Sequence, residues 1–370
     1  MSHIALILPD LVAGGAQRVM LMLAHEFVAR GHRVDLVLLQ AEGQLQSSVP
    51  QGVRLVDLRS RSRVLGSSIF ALRAIARLAN WLRRERPDAV LSTVTGTNIA
   101  TVLAWKLAAT RPRLVLREVN ALRNVNSRIR LWAMRLLYRR ADAVVALTRP
   151  MERELADIVG VPRKKLFCIP NPVDRDYILA QSRAAVEHPW LVPKDIPIII
   201  SVGRLVPAKD HATLLKAFEL VVRERPARLL IVGDGPERNS IEVLIHELGV
   251  AACVALIGFD PNPWRWMARA DLYVLSSLWE GSPNTLLEAR VLGCRTLVTK
   301  YDDSVIDLGP PCYSAVTPPG DSVAMATAIK DLLQVVPPAE MPAKQVATVV
   351  AAEEYLKVLR QPSSPIAKKT

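Results

Sequence analysis

Cysteine, histidine and aromatic residues are scarce in this chain, and each scarcity closes off a class of function. The four cysteines, Cys168, Cys253, Cys294 and Cys312, are far apart and form no Cys-x-x-Cys pair. That argues against a disulfide scaffold or a zinc ribbon and for a reducing compartment. The six histidines, His3, His25, His32, His188, His211 and His246, show no metal-ligand spacing, so solvated or core roles are expected. Aromatic residues make up only 5%, and no nucleic-acid-binding module is legible, so nucleic acid is not expected as a partner. No apolar run approaches the ~20 residues of a membrane span. The opening Met1-Ser2-His3-Ile4 puts no basic segment ahead of a cleavable apolar one, so no signal peptide is expected.

What the chain does contain is apolar mass and arginine. Of its 370 residues, 50% are hydrophobic and 22% charged. That balance excludes a disordered chain, and the length supports two compact domains. The net charge is +13. Residues 1–175 hold 28 basic and 13 acidic side chains, a net of +15, nearly all of it arginine, while the remainder carries −2. Such a field suits an anionic partner, a membrane surface or a lipid diphosphate, although general solubility accounts for it as well.

Strand-like and helix-like stretches alternate. His3–Pro9 is apolar, and after Gly14-Gly15 the residues Val19, Leu23 and Phe27 recur at a spacing of four. Further strands are predicted at 33–39, 88–92, 113–118, 142–147 and 165–169, with a basic amphipathic helix over 64–86. Residues 174–193 lack strong periodicity and read as a linker. The pattern then restarts, with strands at 196–202, 228–232, 253–257, 271–276 and 295–299 and helices at 211–225, 237–248 and 284–292. This alternation predicts parallel sheets covered on both faces, hence an α/β protein of two doubly wound domains. Ligands of such sheets sit at the carboxyl ends of the strands. With two domains, the natural site is the cleft between them.

Three strand ends carry the chemistry. Gly203-Arg204-Leu205 and Lys209 follow the strand at 196–202. A guanidinium fork and a point-charge ammonium suit a diphosphate, though the same pair fits a solvated loop. Gly233-Asp234-Gly235-Pro236 follows the next strand, where glycines let the backbone approach a ligand or simply make the turn into a helix. The most specific stretch runs from Leu278 to Ala289. It holds Glu280, the chain-breaking Gly281-Ser282-Pro283, then Asn284, Thr285 and Glu288. Pro283 suits the first turn of a helix whose leading amides are free to bind phosphate. Glu280 lies on the loop before that helix and Glu288 in its second turn, where carboxylates can accept bonds from vicinal sugar hydroxyls. A capped surface helix with two ordinary glutamates is the plainer alternative.

In combination these segments resemble the retaining glycosyltransferases of family 4. The Gly-Arg-Leu…Lys, Gly-Asp-Gly-Pro and Glu-(seven residues)-Glu elements occur in that family's order and spacing. So do Gly14-Gly15-Ala16-Gln17-Arg18-Val19 after the first strand and Ile169-Pro170-Asn171-Pro172-Val173-Asp174 before the linker. Residues 352–359, with Tyr355, are similar to the family's last helix, which crosses back onto the N-terminal domain. The resemblance implies a GT-B fold, two Rossmann-like domains facing a cleft. It implies an acceptor-binding domain over 1–175, completed by a C-terminal helix at 350–361, and a donor-binding domain over 176–349. By the same resemblance Arg204 and Lys209 would grip the donor diphosphate and, with Glu280 beside the donor sugar, form the catalytic set. Glu288 would bind ribose hydroxyls. The amides around Asn284 and Thr285 would contact the distal phosphate or sugar, with Ser282 counted among the donor-binding residues. Gly233 and Gly235 would line the nucleotide pocket, and Gly15 would let the N-terminal domain close against the donor. Cations placed at the phosphates stabilise the departing diphosphate directly, so no metal or other cofactor is required. Glu280 as covalent nucleophile and Glu280 as electrostatic stabiliser both fit the sequence.

Some stretches depart from the family pattern. Many members carry a histidine in a His-Asn-like pair near the donor sugar. Here the stretch is Arg117-Glu118-Val119-Asn120, and Glu118 or Asn120 is expected to serve on the acceptor side. Asp174-Arg175-Asp176 matches the Asp-x-Asp metal motif only formally, because it falls in the linker. Tyr301–Gly309 matches the family's glycine-rich loop poorly. Two arginine-flanked stripes are expected either to pack on the domain's own sheet or to dock on anionic lipid: Ile129, Trp132, Ala133, Leu136 and Leu137 in one stretch, and Ile69, Leu72, Ile75, Ala76 and Ala79 in the other. The expected function is a cytoplasmic enzyme, peripheral on the inner membrane face if the stripes dock. It would move a hexose or N-acetylhexosamine from a nucleotide sugar to a polyprenyl-diphosphate-linked glycan in surface polysaccharide synthesis. A soluble transferase with a small-molecule acceptor and a silent nucleotide-sugar-binding protein are the alternatives. The intact set Arg204, Lys209, Glu280 and Glu288 argues against the second.

Overall fold

The computed structural model describes residues 1–12, 14–59, 67–122, 127–191, 194–303, 305, 314–334 and 347–361, the side chains of 67–71 and 314 excepted. It divides into two compact units, Met1–Pro172 with Val346–Thr370, and Val173–Gln345. Among the described residues no helix is long and apolar enough to cross a membrane.

The first unit is built on a parallel sheet of β1 (His3–Leu8), β2 (Arg33–Leu38), β3 (Val53–Asp57), β4 (Ala89–Thr93), β5 (Arg113–Arg117), β6 (Ala143–Ala146) and β7 (Leu166–Cys168). The strand order is β3-β2-β1-β4-β5-β6-β7. Successive strand residues point to opposite faces, so an apolar run feeds two cores at once. Ala5 and Ile7 enter the core under α2 (Ser67–Glu85), α3 (Thr95–Ala108), α4 (Arg128–Leu137) and α5 (Arg149–Asp157). Ile4, Leu6 and Leu8 enter the other, under α1 (Gly15–Ala29) and the last helix, Thr348–Arg360. Local signals set the helix starts. Thr148 Oγ1 accepts from Met151 N ahead of α5, and Ser127 Oγ accepts from Arg130 N ahead of α4.

The last helix is fastened by two interior arginines. Arg113 Nε donates to Val358 O at 2.5 Å. Arg117, fully buried, donates to Tyr355 OH at 3.1 Å, Thr93 Oγ1 at 3.0 Å and Asn171 Oδ1 at 2.5 Å. Its charge is met here by neutral oxygens, each of which matters because water cannot replace it.

The second unit repeats the plan. Its strands are β8 (Ile198–Val202), β9 (Arg228–Val232), β10 (Val254–Gly258), β11 (Leu272–Leu275), β12 (Arg295–Thr299) and β13 (Ser314–Thr317). They are parallel, in the order β10-β9-β8-β11-β12-β13. One face is covered by α7 (His211–Val222), α8 (Arg238–Glu247) and the helix Ser322–Gln334. The other is covered by α6 (Arg175–Ser182), α9 (Trp264–Met267) and α10 (Asn284–Val291).

Several expectations need correction. The stretch 174–193 is not simply a linker, because it contains α6, with Ile178, Val186 and Leu191 in the second unit's core. The helix has eight residues and one buried side chain, too few to show a period. Asp174 caps it, accepting from Tyr177 N at 3.0 Å, which gives the Asp-x-Asp triplet a structural role. Edge strand β3 was not predicted because none of its residues is fully buried. The stripe expected on α2 is right in part: Ala79 lies in the core with Ala74, Leu78, Trp81 and Leu82, and Ile75 packs against it, whereas Leu72 is 67% exposed, Ala76 is exposed and the side chain of Ile69 lies outside the described residues. On α4 the buried residues are Met134 and Leu137, whereas Ile129, Trp132 and Leu136 are 81%, 65% and 47% exposed. Residues 64–66 of the predicted helix, 304 and 306–309 of the Tyr301–Gly309 loop, and the tail from 362 lie outside the described residues.

Tyr355→Phe leaves Arg117 Nε without its acceptor in a dry interior. A loss of about 1–3 kcal/mol is expected, read as a lower urea midpoint for unfolding of the first unit. An unchanged midpoint would mean that this hydrogen bond does not hold the helix.

Candidate active site

The second unit's strand order reverses at β8, which has β9 on one side and β11 on the other. In an open parallel sheet that reversal parts the loops at the strand ends and leaves a crevice. The loops carrying Lys209, Gly233 and Glu280 all leave carboxyl ends of strands around this point.

The first two loops are joined backbone to backbone. Gly203 N donates to Val232 O at 3.0 Å, Leu205 N to Asp234 O at 3.0 Å and Glu237 N to Leu205 O at 3.1 Å. Gly233 has φ +149, and a Cβ there would stand 1.8 Å from Gly203 O; at Gly235 it would stand 2.3 Å from Leu205 O. Both glycines are therefore required by the neighbouring loop itself, which explains them without a ligand.

After Leu205, the chain makes a single tight turn over Pro207–Lys209 and reaches Asp210, whose φ of 44 is left-handed. Asp210 Oδ1 accepts from Thr213 N at 3.2 Å and starts α7. The next residue, His211, is buried. Burial, reinforced by the Lys209 charge, pushes its pKa down to about 4, so the ring is neutral near pH 7.

Lys209 and Glu280 come from loops 71 positions apart and meet directly: Lys209 Nζ lies 2.5 Å from Glu280 Oε1, with both side chains largely shielded. Ser277 Oγ donates to the same oxygen at 2.6 Å. The two loops are further tied by Ser276 Oγ to Lys209 O at 2.7 Å and by Leu278 N to Ala208 O at 2.8 Å. Thr299 Oγ1, at the end of β12, donates to Ser277 O at 2.5 Å. Ser276, Ser277 and Thr299 were missed in the sequence. Their signal was small polar residues closing otherwise apolar parallel strands.

The other predicted residues are placed as follows. Arg204 is exposed and has no ion-pair partner among the described residues. Ser282 is half-buried on the loop before α10. Asn284 opens α10 behind Pro283, whose carbonyl accepts from Leu286 N at 3.1 Å and Leu287 N at 3.4 Å. Thr285 turns its hydroxyl inward, 2.7 Å from the OH of the buried Tyr273. Glu288 is half-buried one turn further on.

Three predicted residues lie in the first unit. Gly15 begins α1. Glu118 is fully buried: its carboxylate accepts from Thr95 Oγ1 at 2.9 Å, Tyr138 OH at 2.6 Å and the amides of Val119 and Asn120 at 2.9 and 3.0 Å. This carboxylate holds its loop from inside, where an acceptor cannot reach it. Asn120 is exposed, with Nδ2 donating to Thr95 Oγ1 at 3.0 Å. Among the described residues no cluster of three or more His, Cys, Asp or Glu could hold a metal ion.

Comparison with known proteins agrees with this architecture. Residues 13–177 match the family described as Glycosyltransferase Family 4, and residues 183–346 match Glycosyl transferases group 1. The chain is 30% identical over 175 residues to an uncharacterized glycosyltransferase, MJ1059, of Methanocaldococcus jannaschii, a match covering 47% of this chain and 43% of that one. It is 28% identical over 212 residues to the Campylobacter jejuni N-acetylgalactosamine-N,N'-diacetylbacillosaminyl-diphospho-undecaprenol 4-alpha-N-acetylgalactosaminyltransferase, covering 56% of each. The chain thus spans about half the length of these two curated relatives. In structure it is similar to Anabaena HepE, solved with UDP and glucose, with a TM-score of 0.81, 18% identity and coverage of 98% and 100%. Two doubly wound parallel sheets, the strand-end motifs in their order and two adjoining family matches over most of the sequence lead to one conclusion: this chain belongs to glycosyltransferase family 4, with the GT-B fold.

Proposed function

We propose that the chain transfers a sugar, with retention of configuration and without a metal, from a nucleotide sugar held by the second unit to a polyprenyl-diphosphate-linked glycan held by the first. The observation that carries the reading is the meeting of Lys209 and Glu280 at the sheet's reversal point. Breaking a sugar–phosphate bond puts negative charge on the diphosphate and positive charge on the sugar. An ammonium and a carboxylate fixed side by side match that separation, with Arg204 as a second cation for the phosphates. Glu288 and the α10 amides complete the donor contacts. Glu280 Oε1 already carries two donors, which makes it a weak nucleophile and favours its role as a stabiliser of the sugar. The acceptor hydroxyl then attacks the face that the phosphate leaves, and a phosphate oxygen takes its proton. HepE's UDP and glucose and the diphospho-undecaprenol in the Campylobacter enzyme's name support these classes of donor and acceptor.

The lipid reading also rests on α4. Ile129, Trp132 and Leu136 lie on its outer face, and Arg128, Arg130, Arg139 and Arg140 are exposed around them. An amphipathic face with a basic rim suits the boundary of an anionic bilayer, at about 1 kcal/mol per basic residue near the surface.

Release of free nucleotide across a panel of nucleotide sugars identifies the donor. With that donor, Lys209→Ala should lower turnover by ~10²–10³-fold, and Glu280→Ala should also fail to transfer. Wild-type rates in both variants would dismiss the site. Turnover should persist in excess chelator, and collapse there would show that a metal is needed. Wild-type protein should sediment with anionic vesicles at low salt, and Trp132→Glu, a change at an exposed position, should weaken that binding. Sedimentation indifferent to lipid charge and salt would count against docking.

A further inference from the structure

Resting on the donor reading above, we infer that Glu280 is the stand-in counter-ion of Lys209 when no donor is present, that donor phosphate displaces it, and that Ser277 is the positioning residue that keeps Glu280 in place through the exchange. The two partners of Glu280 Oε1 differ in mobility. Lys209 reaches it through a four-carbon stem lying along Gly203, where a Cβ would come within 3.1 Å of Lys209 Cε. Such an ammonium can swing to a new anion while its backbone stays pinned by Ser276 Oγ. Ser277 is fully buried on a short stem, and its carbonyl is held by Thr299 Oγ1. The carboxylate therefore has one exchangeable partner and one fixed partner. When a diphosphate draws the ammonium away, Glu280 remains hydrogen-bonded to Ser277 and gains a lone pair for a sugar hydroxyl. Phosphate arrival and release of the sugar-binding carboxylate become one event, which couples recognition of the two halves of the donor.

Removing Glu280's charge should tighten binding of a nucleoside diphosphate that lacks a sugar, because Lys209 no longer has a competitor. Isothermal titration of UDP, GDP and ADP against wild type and Glu280→Gln is the test. For whichever nucleotide binds wild type, Glu280→Gln should bind about fivefold more tightly, while sugar transfer falls. Glu280→Ala, the second variant, should shift affinity in the same direction. Ser277→Ala should keep nucleotide affinity within about twofold yet lower kcat by about tenfold, a split that general loosening of the loop would not give. If wild type binds none of the three nucleotides, the donor reading fails and this inference with it. If wild type binds and both Glu280 variants bind equally or more weakly, the donor reading stands and the counter-ion exchange is refuted.

Discussion

Two opposite charges brought to 2.5 Å by loops far apart in sequence are the constraint around which the second unit is organised. The pair exists because β8 and β11 are neighbours, at the point where the order of the parallel strands turns back. Its geometry is reinforced by bonds that carry no charge of their own: a serine hydroxyl to the Lys209 carbonyl, an amide to the Ala208 carbonyl and a threonine hydroxyl to the Ser277 carbonyl. The glycines at 233 and 235 serve the same end, since any side chain there would drive the two neighbouring loops apart. A charged pair exposed on flexible loops would relax into solvent; here backbone contacts hold it in register.

The parts of the fold that were legible are those with a period. Long apolar strands such as β8 and β9 and helices such as α1 and α7 stand out because burial on one or both faces forces a repeat. Elements that satisfy themselves otherwise escaped. Helix α6 is held by a cap and one buried isoleucine, and β3 lies at an edge with no fully buried residue. Motif spacing located Lys209 and Glu280, but their contact could not be read from it, because proximity across 71 residues is a property of strand order. Glu118 shows the opposite error. A carboxylate beside a family motif looked available, yet its four donors are all internal.

The arginine excess of the first unit also divides once burial is known. Arg113 and Arg117 are interior, where their forks satisfy carbonyl, hydroxyl and amide oxygens that tie the last helix to β5. Arg77 reaches the Leu58 and Arg59 carbonyls, and Arg83 reaches Leu107 O. The arginines around the outer face of α4 have a different character, standing among exposed apolar side chains. Net charge alone treated these groups as one field. The structural arginines use hydrogen-bond geometry, whereas Arg128, Arg130, Arg139 and Arg140 point their charge to solvent.

The return of residues 348–360 to the first unit has a consequence for biosynthesis. While the ribosome makes the chain, the face of the sheet bearing Leu6, Leu8 and Val115 lacks the cover of Ala351, Ala352, Tyr355 and Leu359. An entire second unit, Val173–Gln345, must be made in the meantime. At bacterial-to-eukaryotic elongation rates that interval is on the order of ten seconds or more. The nascent first half therefore waits with a bare greasy flank and with Arg117 lacking its Tyr355 acceptor, a window in which a chaperone can engage it and after which the thirteen-residue helix Thr348–Arg360 covers that flank.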